Sequence, residues 1–268
     1  MIEVDKLLRP NQSVVEATTD HARAISEIYR LVQIEPQVLL DLASSRAQRI
    51  ATARQFISTH GGFLSPPDDA DMRRTMNHGL VKVFLQGGEV VGYNRYVTDP
   101  VMVHQVMCVE FQLDSTKDYS DHDQLQNWSG HEKLKDNKTL RRIEWLDKNQ
   151  ALIALNAAQT GLQKLSTGKL AWAVDAAVHP DNQHAGIAKI LSNSMRRNLT
   201  PGVAYLACRM FEITSINNVD VDVHNDPSKR VFMESTSTPF AYTEEEILFK
   251  NGIHITVRWN HWLRYYLS

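Results

Sequence analysis

Between Leu170 and Leu199 the hydrophobic period of the chain changes within a few residues, from two to about 3.6. Leu170, Trp172, Val174, Ala176 and Val178 alternate with Ala171, Ala173, Asp175 and Ala177, which predicts a strand buried on one face and crowded by small residues on the other. Pro180-Asp181-Asn182 stops it. Ile187, Ile190, Leu191, Met195 and Leu199 then mark one side of a helix. The segment thus reads as a strand, a loop and a helix in that order.

The loop between them reads Val178-His179-Pro180-Asp181-Asn182-Gln183-His184-Ala185-Gly186-Ile187-Ala188 and contains Gln-x-x-Gly-x-Ala at Gln183, Gly186 and Ala188. At a helix start, free first-turn N–H groups and the positive end of the dipole receive an anion such as a diphosphate. Gly186 and Ala188 lack bulk, so the backbone there can approach a ligand closely. A packed strand-to-helix turn needing small residues is the alternative reading of the same pattern.

Elsewhere the punctuation is uneven. Ser13–Ala17 reads as a short strand, Thr19-Asp20 as an N-cap, and Ala24, Ile25, Ile28, Leu31 and Val32 as a helix face; a second helix is expected over 37–58. Leu80–Gln86 and Val90–Val97, joined by Gly87-Gly88, predict a tight hairpin. Val101–Leu113 alternates like a strand, 114–130 is a polar loop, and 140–165 has helical character. Thr200-Pro201 followed by Val203, Leu206, Ala207, Met210 and Phe211 predicts a short helix. Val219–His224 predicts a strand, Asp226-Pro227-Ser228 opens a short helix, and Asn251-Gly252 joins a C-terminal hairpin.

Composition narrows the partners. With 43% hydrophobic residues, 22% charged and a net charge of -2, there is no general basic field to hold nucleic acid. No apolar run reaches membrane-spanning length and no leader pattern opens the chain, so no membrane partner is expected. Two cysteines, Cys108 and Cys208, do not make a disulfide framework and suit a reducing cytoplasm. Eleven histidines show no His-x-x-x-His and no Cys-x-x-Cys spacing, so no metal is expected.

On the loop motif and its strand and helix, the sequence resembles the GNAT acyltransferase superfamily. The match is best over Ala171–Leu199 and again over Val219–Phe240. The resemblance implies that Gln183, His184, Ala185, Gly186, Ile187 and Ala188 hold the pyrophosphate of coenzyme A. It implies main-chain contacts from Ala176 and Val178 to the pantetheine amides, and an N–H near Ala176 that polarises the thioester carbonyl. In the second segment, Asn225 would bond the pantetheine arm, with Ser228 as the small residue three positions on. Phe232 stands where the family often has a tyrosine that protonates the departing thiolate, which phenylalanine cannot do. Ala185 and Ala188 also depart from a frequent basic residue and a second glycine.

Asp175, Asp220, Asp222 and His224 lie on or beside the two strands expected to flank the acyl group. Each is a candidate to deprotonate an amine, directly or through water, with Asp175 the catalytic candidate among them. Solvated or hydrogen-bonded strand-end carboxylates are the alternative reading for most of them. The acidic stretch Asp114, Asp118, Asp121 and Asp123 is a candidate for selecting a cationic acceptor. The expected fold is α/β, with a mixed, mostly antiparallel central sheet flanked by helices, in a single domain of GNAT type. Residues 99–168 form an insertion between its third and fourth core strands. The expected activity is transfer of an acyl group, acetyl first, from coenzyme A to a primary amine by direct attack. A non-catalytic acyl-CoA-binding or sensor module of the same fold is the rival. A homodimer built on the insertion is left open.

Overall fold

Gly87 and Gly88 both adopt positive φ, +61° and +87°, which a two-residue turn between twisted strands requires and which glycine adopts without cost. The hairpin they close joins β2 (Gly79–Gln86) to β3 (Glu89–Val97), and β1 (Gln12–Glu16) pairs antiparallel with β2. The computed structural model describes residues 8–33, 70, 72–73, 76, 79–119, 121–135, 137–162, 169–183, 185–199, 202–224, 237–249 and 252–265. The chain falls into two units, Met1–Tyr96 with Val174–Leu199, and Val97–Ala173 with Thr200–Ser268. The helix expected over 37–58 and the one opening at Asp226 lie outside the described residues.

In the first unit the strand order is β1-β2-β3-β6, where β6 is Lys169–Val178 and contributes its outer half. Helix α1 (Ala22–Gln33) follows a 3-10 turn over Thr19–His21. The cap is Thr18, not Thr19-Asp20: the Thr18 N–H donates to His21 Nδ1 at 2.9 Å. Helix α4 (Ile187–Arg197) seats Ile187, Ile190 and Leu191 against Phe84 and Val91, with Val14 and Val178 packed around them. Burying each such side chain stabilises the unit by about 1.5–3 kcal/mol.

The second unit contains α2 (Pro100–Glu110), β4 (Trp128–Lys135), β5 (Lys138–Trp145), α3 (Lys148–Thr160), the inner half of β6, β7 (Val203–Ile216), β8 (Val219–His224), β9 (Ser237–Leu248) and β10 (His254–Tyr265). Its strand order is β6-β7-β10-β9-β5-β4, with β8 on β7. Among the described residues, 99–168 supply two α-helices and two strands to this unit. Among the described pairs only β6–β7 is parallel. The fold is α/β with mixed, mostly antiparallel strands and flanking helices.

Three further expectations are corrected. Residues 101–113 do not form a strand. Asp99 accepts from the Met102 N–H at 3.0 Å and Pro100 takes the first helical position, so α2 begins there. Val103 and Met107, read as alternation, are also four apart, and both are buried under the helix. Residues 140–165 divide: Leu140, Ile143 and Trp145 belong to β5, and the helix starts after the Asp147 cap. Residues 203–211 are strand β7 rather than helix. Val203, Leu206, Ala207, Met210 and Ile213 are all buried at a spacing that reads as helix, yet β7 pairs with β6 and β10, and its register against β6 shifts between Val203 and Tyr205. Tertiary pairing overrides the local pattern.

The core of the second unit closes around His261, which has no exposed surface. The rings of Phe111, Trp172 and Phe240 lie 4.7–6.1 Å from its centroid, and Thr243 Oγ1 is 3.1 Å from its Nε2. Burial, then the charge of Arg209, holds this imidazole well below the usual histidine range, so it is neutral. Arg209 is itself held by Glu110, Nη1 lying 2.6 Å from each carboxylate oxygen, and stacks over Trp259 at 4.4 Å.

Candidate functional site

The His179 N–H donates to the Val91 carbonyl at 2.8 Å, while the Arg95 side chain reaches Asp175. Four residues forward on β3 therefore match four residues back on β6, and the two strands run antiparallel. The Ala177 carbonyl lies on the β3 side as well, 3.2 Å from where a Cβ on Gly92 would stand. Strand alternation then directs the backbone groups of Val174, Ala176 and Val178 to the other edge. The ladder of β6 with β7 covers only Lys169–Ala173. Among the described pairs, 174–178 is thus an open edge of the first unit, and Ala176 and Val178 present their amides there.

Beyond Val178 the chain folds tightly. Pro180–Asn182 is a 3-10 turn in which the Asn182 N–H donates to the His179 carbonyl at 2.8 Å and the Asp181 N–H to His179 Nδ1 at 3.3 Å. Gln183 Nε2 turns back to the Val178 carbonyl at 3.4 Å. Gly186 caps α4 with φ +77°, a left-handed conformation, and has nothing within 4 Å of its would-be Cβ. Glycine is favoured there by the backbone conformation, not by crowding. The cap makes no side-chain hydrogen bond, and the Ile190 N–H is the one that reaches the Gly186 carbonyl, at 3.1 Å. The N–H groups of Ile187, Ala188 and Lys189 are left at the helix start without intrahelical partners. Ala185 and Gly186 are exposed, while Ile187 is buried and anchors the helix. The result is a helix start with an exposed glycine cap, placed a few residues beyond a strand edge that lacks a described partner.

Asp175 is brought next to this edge, but it is not free. Arg95 Nε and Nη2 donate to its two oxygens at 2.6 Å each, with side chains 6% and 12% exposed. Burial opposes the charge on Arg95, but the adjacent carboxylate more than offsets this and holds the guanidinium protonated more firmly than usual. Tyr93 is buried beside the pair. Burial first, and then the charge of Asp175, keeps its hydroxyl protonated well above the ordinary range. Arg95 and Tyr93 were missed in the sequence, because only the β3–β6 pairing brings residues 80 positions apart together.

Other candidates fall elsewhere. His184, Asn225, Ser228 and Phe232 lie outside the described residues. Asp220 is exposed on β8. In the acidic stretch, Asp114 accepts from the Thr116 N–H and hydroxyl at 2.9 and 2.7 Å, which lowers its pKa, and Asp121 caps the short turn His122–Gln124. Cys208 sits on β7, and burial pushes its thiol up to about 12; burial also raises Cys108. Neither is an activated nucleophile. Among the described residues no group of histidine, cysteine and carboxylate side chains is arranged to hold a metal, and no helix is long and apolar enough to cross a membrane.

No family model and no curated protein matches the chain. Solved structures do. The ribosomal-protein-S18-alanine N-acetyltransferase of Escherichia coli is 9% identical with a TM-score of 0.41, over 95% of this chain and 93% of the other. A GNAT-family acetyltransferase from Streptococcus pneumoniae is 9% identical with a TM-score of 0.42, over 95% and 99%. A Salmonella typhimurium protein solved with its cofactor acetyl-CoA is 14% identical with a TM-score of 0.37, over 94% and 92%. The solved structures that this chain is similar to along nearly its whole length thus include N-acetyltransferases of the GNAT family.

Proposed function

We propose that this protein is an acyltransferase that moves an acyl group, acetyl in the first instance, from coenzyme A to a primary amine. One observation carries the proposal: an open strand edge, 174–178, leads through a tight turn to a helix start capped by a left-handed glycine with no side chain. The edge offers main-chain groups at Ala176 and Val178 to the amides of a pantetheine arm. The cradle from Gln183 to Ala188 offers N–H groups and the positive helix end to a diphosphate. These two needs, set a few residues apart, are those of coenzyme A. In this reading the Ala176 N–H donates to the thioester oxygen as negative charge develops on it.

The reaction is direct. The amine nitrogen attacks the thioester carbonyl, the C–S bond breaks, and the net proton transfer is from the amine to the departing thiolate. Both cysteine thiols are held protonated by burial, which speaks against an acyl-enzyme on either. The two free cysteines also suit the reducing cytoplasm that we infer as its setting.

A second reading, an acyl-CoA sensor without turnover, is favoured by Phe232 in place of the tyrosine that the family resemblance calls for. The two are separated by incubating the protein with acetyl-CoA and a panel of amines and following free thiol. Amine-dependent, catalytic thiol release is the expected outcome. Tight binding with no release for any amine would favour the sensor.

A further inference from the structure

Arg95 and Asp175 are cross-strand neighbours on one face of β3 and β6, and Tyr93 follows on the same face of β3. The two 2.6 Å bonds occupy both oxygens of the carboxylate in a parallel fork. Arg95 Nη1 is directed at Met72 Sδ, 3.8 Å away, so the guanidinium is fixed on its remaining side as well. A buried pair of this kind contributes little to stability, because desolvation offsets its attraction and an apolar pair would fill the space as well. What a fork adds is direction. It sits one residue before Ala176, just past Ala173, where β6 loses its second ladder and most needs another restraint.

We infer that Asp175 and Arg95 are a positioning pair, which sets the Ala176 N–H against the thioester carbonyl, and that Asp175 is not the base that accepts the amine's proton. Both oxygens of Asp175 already accept from the Arg95 guanidinium, so neither is directed at an incoming amine. The inference rests on the acyl-transfer reading and assigns to that site the part its sequence had left open.

The test uses Asp175→Asn, Asp175→Glu and the double replacement Arg95→Met/Asp175→Leu, which leaves no buried unpaired charge and keeps the question open if Asp175→Asn does not fold. Affinity for free coenzyme A is measured by calorimetry, and kcat and its pH profile by thiol release. The expected result is coenzyme A affinity near that of the parent, because the cradle is intact, with kcat lowered on the order of 10–100-fold in Asp175→Asn and in the double variant, the scale of a small misplacement. The ascending limb of the pH profile stays where the parent has it, and Asp175→Glu recovers part of the rate. Loss of that limb in Asp175→Asn would make Asp175 the base and overturn the inference. A folded double variant with the parent's kcat would reduce the pair to packing and overturn it too. A parent that takes up no coenzyme A fails at the first titration, before any variant is compared, and removes the acyl-transfer reading along with this one.

Discussion

Gly186 combines two demands that the sequence shows only as one. Its lack of bulk is legible, since a small residue at the head of a helix after Gln-x-x invites a close backbone approach. Its φ of +77° is not, because a torsion angle depends on how the 3-10 turn hands the chain to α4. The two demands separate experimentally. Any L residue there carries a backbone strain of about 1–2 kcal/mol, and nothing within 4 Å adds a steric cost. Gly186→Ala and Gly186→Glu should therefore lose similar stability in urea and keep the parent's circular dichroism. Their affinities for coenzyme A should part: glutamate repels a diphosphate and obstructs its approach, and losing two charge-assisted hydrogen bonds weakens binding by roughly two orders of magnitude or more. Equal affinity in the two variants would show that the loop is not the pyrophosphate site. Asp175 teaches the converse lesson. Its identity was legible as an acid beside the open edge, whereas its partner lies 80 residues away and its occupied state emerges only from the strand register.

At the level of elements, those with strong local punctuation matched their sequence reading. The β2–β3 hairpin follows from paired glycines, β6 from alternation stopped by Pro180, and α4 from its apolar stripe. Elements shaped by pairing partners were misread. β7 is buried at intervals that read as helix but is held as a strand by partners on both edges, and α2 was hidden by apolar residues whose spacing fits either period. The cradle depends on how closely α4 packs. A Cβ on Gly92 would stand 3.1 Å from Ile187 Cγ2, 3.2 Å from the Ala177 carbonyl oxygen and 3.4 Å from Leu191 Cδ1. The middle contact is backbone and cannot rotate away. Gly92→Ala should cost about 1–3 kcal/mol in chemical denaturation, as overpacking does, and should weaken coenzyme A binding by moving the start of α4. Parent-like stability would mean that the α4–β3 packing is looser than the structure has it.

For the molecule as a whole, the open edge and the turn into α4 were legible as a strand, a loop and a helix. Asn225 and Ser228, expected on the pantetheine arm, lie outside the described residues, so the binding claim stands on the first unit's loop and edge. That claim is tested most directly by titrating acetyl-CoA into the intact protein in a calorimeter, with thermal unfolding followed in parallel. Saturable binding at one site per chain is expected. At a hundredfold excess over the dissociation constant, mass action adds about 2.7 kcal/mol to stability, which for a chain of this size raises Tm by roughly 5–10 °C. No heat and no shift in Tm with acetyl-CoA, longer acyl-CoAs or free coenzyme A would contradict it.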